Sequence, residues 1–347
     1  MNKLRVSTYD ELLGSFGSGR KHLLLGNGFS IACDKRFAYP SLFNFACSHG
    51  LSTRAQKIFD RLGTNNFEGV LRLLEDSLWI VQHYGVTDNA IISAMEDDLQ
   101  VVKQSLVDAI AETHLEHTNE VEESRKQNCV KFLMPFHNVF TTNYDLLLYW
   151  VAMQGRIELQ EQDGFRPSLE DPDAEYLVFR EHVGGNRGMF FLHGALHLYA
   201  TEGEIRKHSW IRSQKRLTVL IREGLSGGQY PLFVAEGLPE RKRQQIQQNG
   251  YLSYCLGKLE RIEKTLFVYG LSLSDNDRHL AHTIADNDKI EHLCIGLYGE
   301  PDSTVNQAIR QAADTIVRRR KEWQSRFRNY KDLSIDYFDS ATARVWD

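Results

Sequence analysis

Residues Leu23-Leu24-Leu25-Gly26-Asn27-Gly28-Phe29-Ser30 constrain the fold of this chain more than any other stretch. Three consecutive leucines read as a short core strand, and the Gly-x-Gly after them bends the chain tightly towards a Ser. Two glycines at a strand end let one backbone approach another backbone, or a pyrophosphate, very closely. That is the start of an α/β layer. Amides just beyond such a turn are placed to donate to phosphate oxygens. The same shape also serves as a plain strand-to-helix turn. It gains weight from Thr141-Thr142-Asn143-Tyr144-Asp145, Leu192-His193-Gly194 and Gly270-Leu271-Ser272-Leu273 further along.

The remaining pattern fits an α/β core with a large helical insertion. Residues 7–19 read as a short helix closed by glycines. A helix starts over Ser30–Cys33, stops at Arg36–Pro40, and resumes behind a Ser41 cap through Leu42, Phe43, Phe45 and Ala46. From 54 to 134 apolar residues recur every three or four positions, as in Ile91, Met95, Leu99, Val102, Leu106 and Ile110, with no strand signal between them. His137–Thr142 is a second strand with Asn143 at its end and a helix over Asp145–Val151. Residues 155–188 read as loop-rich. Met189–Gly194 is a strand ending in His-Gly, continued by Leu196, Leu198 and Tyr199 with a hairpin partner in 205–211. Leu232–Ala235 is a short strand. Residues 238–263 read as one charged helix, and its Arg241, Lys242 and Arg243 as a solvated face. Leu266–Gly270 is the cleanest buried strand. Asp275 or Asp277 is placed to cap a helix around His279–Ile284. Residues 293–299 form the last central strand, 303–320 a helix and 333–338 a terminal edge strand. The expected division is 1–53 for the start of a Rossmann-like core with its phosphate loop, 54–134 for the insertion and 135–347 for the rest of the core.

Charge and composition exclude several classes. The 347 residues carry a formal net charge of −5, so no global basic field draws the chain to nucleic acid. No apolar run approaches the ~20 residues that cross a bilayer, and Met1–Arg5 lacks a signal-peptide core. A cytoplasmic location away from membranes is the default expectation. The five cysteines, Cys33, Cys47, Cys129, Cys255 and Cys294, include no Cys-x-x-Cys pair, which argues against a zinc ribbon and for buried reduced thiols. His114/His117 and His279/His282 have helical spacing. Solvated or capping histidines are the commoner explanation of such pairs, and no metal is expected.

Gly26-Asn27-Gly28-Phe29-Ser30, Thr141-Thr142-Asn143-Tyr144-Asp145, His193-Gly194 and Gly270-Leu271-Ser272-Leu273 occur in the order of the sirtuin signatures Gly-Ala-Gly-x-Ser, Thr-Gln-Asn-x-Asp, His-Gly and Gly-Thr-Ser-Leu. The chain therefore resembles the sirtuin-like family. Its longer strings, Leu23–Ser30, Asn143–Trp150, Leu192–Leu198 and Pro231–Gly237, are similar to a bacterial subgroup of unassigned function, comparable to NAD-consuming antiphage-defence proteins. The resemblance implies a Rossmann-like parallel sheet of sirtuin type, with NAD as substrate. It makes Asn143 and His193 catalytic: Asn143 holds the nicotinamide ribose or orders water, and His193 is the general base. Gly26, Asn27, Gly28 and Ser30 would meet the pyrophosphate, and Gly270 and Ser272 phosphate or the adenosine ribose. Asp145 would contact the nicotinamide amide, Phe43 cover the nicotinamide, and Thr142 stand where sirtuins have Gln. The implied activity is an NAD glycohydrolase. The alternatives are a sensor of NAD or an ADP-ribose derivative, and an ADP-ribosyl- or acyl-transfer enzyme acting on protein. The helical block is available to close over the site, form a homo-oligomer or dock a partner such as an ATPase.

Overall fold

The computed structural model describes residues 4–38, 42–85, 89–154, 163–181, 187–201, 203–234, 239–327 and 330–347. The expected Ser41 cap lies outside them. The chain opens with β1 (Val6–Ser7), α1 (Tyr9–Ser15), β2 (Lys21–Leu25), α2 (Gly28–Cys33) and α3 (Leu42–Ser48). Helices α4 (Thr53–Leu62), α5 (Phe67–His83), α6 (Asn89–Thr113) and α7 (Glu123–Leu133) follow before β3 (Asn138–Thr141). Next come α8 (Leu147–Gln154), β4 (Phe165–Pro167), β5 (Tyr176–Phe179), β6 (Gly188–Phe191), β7 (Gly194–Thr201) and β8 (Glu204–His208). Then α9 (Trp210–Ser213), α10 (Leu217–Ser226), β9 (Pro231–Phe233), α11 (Pro239–Gln248) and α12 (Gly250–Leu259) lead to β10 (Lys264–Tyr269). The chain closes with α13 (Arg278–Asp286), β11 (Ile290–Leu297), α14 (Thr304–Arg326) and β12 (Ser334–Asp339).

Among the described residues seven strands form one sheet in the order β1-β12-β11-β10-β2-β3-β6, and every pairing in it is parallel. This is a Rossmann-like α/β core. Its central strands are apolar without alternation because both faces are covered: Leu23, Leu24, Leu25, Leu266, Phe267 and Val268 are all fully buried. The order reverses beside β2. From β2 the chain builds outward through β3 and β6, then returns to place β10 on the other side. Crevices at such switch points, beyond the carboxyl ends of the strands, are where open α/β sheets hold ligands. Register brings four strand ends into line: Tyr269 pairs with Leu25, Leu25 with Thr141, and Thr141 with Phe191. The residues that follow, Gly270, Gly26, Thr142 and Leu192, start the turns on one rim.

Two of those turns interlock. The Gly26 amide donates to Tyr269 O at 2.9 Å and the Gly28 amide to Gly270 O at 2.8 Å. A Cβ on Gly26 would lie 2.6 Å from Gly270 O, and one on Gly28 2.6 Å from Gly270 Cα. Gly270 has φ +69°, and its Cβ would stand 2.6 Å from the Phe29 nitrogen. Left-handed backbone alone costs an L-residue ~1–2 kcal/mol, and overpacking adds ~1–3. Gly270→Ala is therefore expected to destabilise the fold by at least about 2 kcal/mol, read by denaturant unfolding of the purified variant. Unchanged stability would mean the two turns are not packed in this way.

The second sheet is antiparallel, in the order β4-β5-β8-β7-β9. Sequence reading treats 155–188 as loop-rich, yet β4 and β5 lie there. They are three and four residues long, and β4 ends in Pro167, so no alternation has room to register. The hairpin between β7 and the 205–211 region is present as β7–β8, but β7 does not continue β6. The chain switches sheets at Gly194, whose φ of +75° allows the turn. The expected single helix over 238–263 is α11 and α12, with the Asn249 side chain accepting from Leu252 N to start the second. β12 is not an edge strand, because the two-residue β1 pairs outside it. No described helix is long and apolar enough to cross a membrane.

Candidate functional site

A cleft of about 410 Å³ opens over the switch point. Its size falls in the ~300–1,000 Å³ range of small-ligand pockets. Asn27, Gly28, Thr142, Asn143, Asp145, His193, Gly270 and Ser272, all picked out from the sequence, line it. Gly26 lies just beneath. Phe43 is elsewhere: its ring packs on Phe59 at 4.8 Å and Phe67 at 6.5 Å, inside the helical block. A second cavity of about 390 Å³, walled by Trp150, Trp210 and Arg216, includes none of the motif residues.

The wall beneath Asn143 is a closed polar network. Asn143 Nδ2 donates to Gly26 O at 3.0 Å and to Ser30 Oγ at 2.8 Å. Ser30 Oγ in turn donates to Asp145 Oδ2 at 2.5 Å, and Leu147 N donates to Asp145 Oδ1 at 2.9 Å. Ser30 is fully buried, so it braces Asn143 rather than facing the cleft. With both amide hydrogens engaged, Asn143 keeps Oδ1 without a protein partner among the described residues. That atom can accept from a ribose hydroxyl or a water. His114 supports the same corner: Leu146 N donates to its Nε2, and its Nδ1 lies 2.9 Å from Leu115 O. That arrangement fits a neutral ring with the proton on Nδ1. Burial pushes the His114 pKa down and the Asp145 pKa up. His117 caps the 3₁₀ turn at Thr118–Glu120 by accepting from Asn119 N, so His114 and His117 do not form a metal pair.

The phosphate-loop expectation changes in detail. The Gly28 amide is taken by Gly270 O, Phe29 N by Gly26 O and Ser30 N by Asn27 O. The close approach that the glycines permit is between two backbones, and these amides are not free for a phosphate. Helix α2 is held from behind by the C-terminus: Trp346 Nε1 donates to Phe29 O at 2.8 Å. Arg125 on α7 donates to Cys33 O at 3.0 Å and Trp346 O at 2.8 Å. The helical block thereby fixes the loop that follows β2.

Three functional candidates escape the sequence reading. Lys242 does not lie on a solvated face; it is 6 % exposed, lines the cleft, and its Nζ is 3.4 Å from Asp277 Oδ1. The signal was Ile246 one turn later, fully buried on the same helix face. His279 turns away from His282 and towards His193, with the two Nε2 atoms 3.0 Å apart and the rings stacked at 5.1 Å. Asp277 stands just before α13 at the cleft wall. On the rim, Leu273 holds φ 51°, uncommon for a residue with a side chain, between Ser272 and Ser274.

Burial, with the Lys242 charge added, pushes the His193 pKa down to about 3. Burial and the facing His193 bring His279 to about 3 as well, and burial takes His22 to about 3 and His208 to about 4. Unfolded histidines protonate near 6.5, so as pH falls the unfolded chain gains protons that the folded one refuses. Stability contributed above pH ~6.5 is therefore lost progressively below it. Thermal unfolding is expected to show a lower Tm already between pH 6.5 and 4.5, before most carboxylates protonate. A flat Tm across that window would contradict the neutral buried histidines.

Fold and site define an α/β protein whose polar cleft lies at the switch point of a parallel sheet. The chain belongs to the family described as "Domain of unknown function (DUF4917)", whose model matches residues 23–346. That span runs from β2 through the Trp346 anchor. No curated protein matches the chain.

Proposed function

We propose that this protein is a sirtuin-like NAD glycohydrolase, cleaving the nicotinamide–ribose bond to nicotinamide and ADP-ribose, in antiphage defence. The observation that carries this reading is the convergence of Asn143 and His193, from the ends of neighbouring strands, on one cleft at the switch point. The order of the sirtuin-like motifs adds the choice of substrate, and the similarity of the longer strings to NAD-consuming antiphage-defence proteins adds the defence role. Departure of nicotinamide passes through an oxocarbenium-like state, in which position and electrostatics do much of what a covalent nucleophile would. Asn143 Oδ1, held by Ser30 and Gly26, orders the attacking water or the ribose. His193, neutral at physiological pH, takes a proton from a ribose hydroxyl or from the water as the pyrophosphate anion offsets the burial and the Lys242 charge that hold its pKa down. Lys242 supplies the positive charge for the pyrophosphate that the occupied backbone amides do not. With no Cys-x-x-Cys pair for the zinc ribbon that sirtuin deacylases place by the acyl-peptide groove, hydrolysis is favoured over deacylation.

The test is chromatography of NAD incubated with the purified chain, beside Asn143→Ala. Release of nicotinamide and ADP-ribose together, lost in the variant, is the expected result. Tight NAD binding by calorimetry with no turnover is what a non-catalytic sensor would give, and it contradicts hydrolysis. Neither binding nor turnover overturns the NAD reading altogether.

A further inference from the structure

The ring nitrogen of His193 that meets another protein group is Nε2, and its partner is His279 Nε2 at 3.0 Å. Two neutral imidazoles at this distance share a single proton between those nitrogens, since two bare lone pairs would repel and two N–H groups would clash. His193 Nδ1 has no partner among the described residues and is not among the buried unpartnered atoms, so it is the nitrogen left to the cleft. His279 Nδ1 is buried without a partner. Ligand-type atoms of His193, His279 and Asp277 lie within 4.8 Å of one another.

We infer that His279 is a positioning residue for His193. It accepts a hydrogen bond from the Nε2–H of His193, so that Nδ1 of His193 faces the cleft as a bare lone pair, and it holds the ring in that tautomer while positive charge forms on His193. The inference rests on the hydrolase reading for its chemistry and on the histidine pair alone for its geometry. In the step, an O–H bond of the ribose hydroxyl or water breaks and an Nδ1–H bond forms on His193. The His193 Nε2–H bond stays intact and donates to His279 Nε2 throughout. The positive charge rests on the His193 ring, and Asp277 lies within 4.8 Å of the pair. This is the arrangement of a base held in one tautomer by a third group, with a histidine as the orienting member. The other charges facing the pair are Lys242 and Arg243 of α11, both of which oppose protonation of His279, while Asp277 favours it. Asp277 is thus the anion that offsets positive charge forming on the pair.

Nitrogen-15 NMR of the histidine-labelled full chain reads the pair without any turnover. The expected result is a His193 ring protonated on Nε2, coupled through that proton to His279. In His279→Ala this coupling disappears and His193 becomes a mixture of tautomers. A His193 protonated on Nδ1, or a ring unaffected by His279→Ala, overturns the inference. If NAD is turned over, His279→Ala is expected to lower kcat on the order of 10- to 100-fold, as loss of an orienting partner does, with KM little changed. His279→Gln offers a side-chain oxygen to the same proton and restores most of kcat, with an altered pH–rate profile. Equal kcat in wild type and His279→Ala overturns the positioning role. Failure of all turnover with the histidine coupling intact would instead reject the hydrolase reading and leave the pair standing.

Discussion

His193→Ala is expected to lower kcat for nicotinamide release about 10²–10⁴-fold, the usual contribution of a positioned base, while the KM for NAD changes little. His193 sits at the end of β6, is 5 % exposed, and its carbonyl accepts from Val234 N at 2.8 Å, so the backbone is fixed from the neighbouring sheet. Its ring contributes no bond to the wall that holds Asn143, Ser30 and Asp145. Truncation therefore removes a proton acceptor without dismantling the rest of the cleft. The check is a pair of steady-state measurements with unfolding curves alongside. A drop in activity accompanied by an equal loss of folded protein would assign His193 to the core. Retained activity with a folded variant would remove it from the chemistry.

The largest effect on stability is expected at Arg320, which does not line the cleft. This side chain is 1 % exposed, and its guanidinium is surrounded by carbonyls. Nε donates to Ala285 O at 2.8 Å, Nη1 to Ile290 O and Lys331 O at 3.1 Å each, and Nη2 to Ile284 O at 3.1 Å and to Asn287 O. Ile284 and Ala285 lie in the last turn of α13, where carbonyls have no partner within the helix. One planar fork thus closes α13, carries the chain into β11 and ties both to α14. Replacing Arg320 by Met leaves these acceptors buried and unmet, at a cost of about 3–5 kcal/mol, comparable to breaking a buried ionic group. Arg320→Lys recovers only part, because an ammonium concentrates its three donors at one point. Denaturant unfolding of both variants measures the order. Since α13 carries His279 in its first turn, the Met variant is also expected to loosen the His193–His279 pair before the fold is lost.

The parts of this architecture that were legible in sequence share a physical cause. Core strands buried on both faces cannot alternate, so Leu23–Leu25 and Leu266–Tyr269 stand out as apolar runs, and each ends where a glycine or polar residue must turn the chain. The four strand tips read from 26–28, 142–143, 193–194 and 270–272 do lie on one rim, because register aligns the strands that precede them. What escaped was set by tertiary packing. Two-residue β1 has no pattern of its own and exists through its pairing with β12. Lys242 reads as one of three consecutive basic residues, and only the docking of α11 against the cleft buries it. The role of the glycines shifted for the same reason: Gly28 and Gly270 serve contact between two turns, which neither turn reveals alone. His193 and His279 are 86 residues apart in sequence, and no local spacing pairs them.

In the proposed hydrolase, NAD lies across the β2–β10 crevice with its reacting bond between Asn143 and His193. A crystal structure of the full chain with a non-hydrolysable NAD analogue tests it most directly. The pyrophosphate is expected near Lys242 and the rim at Gly270–Ser272, with the nicotinamide ribose within hydrogen-bond reach of Asn143 Oδ1 and His193 Nδ1. Analogue bound elsewhere, or absent from this cleft at saturating concentration, would contradict it.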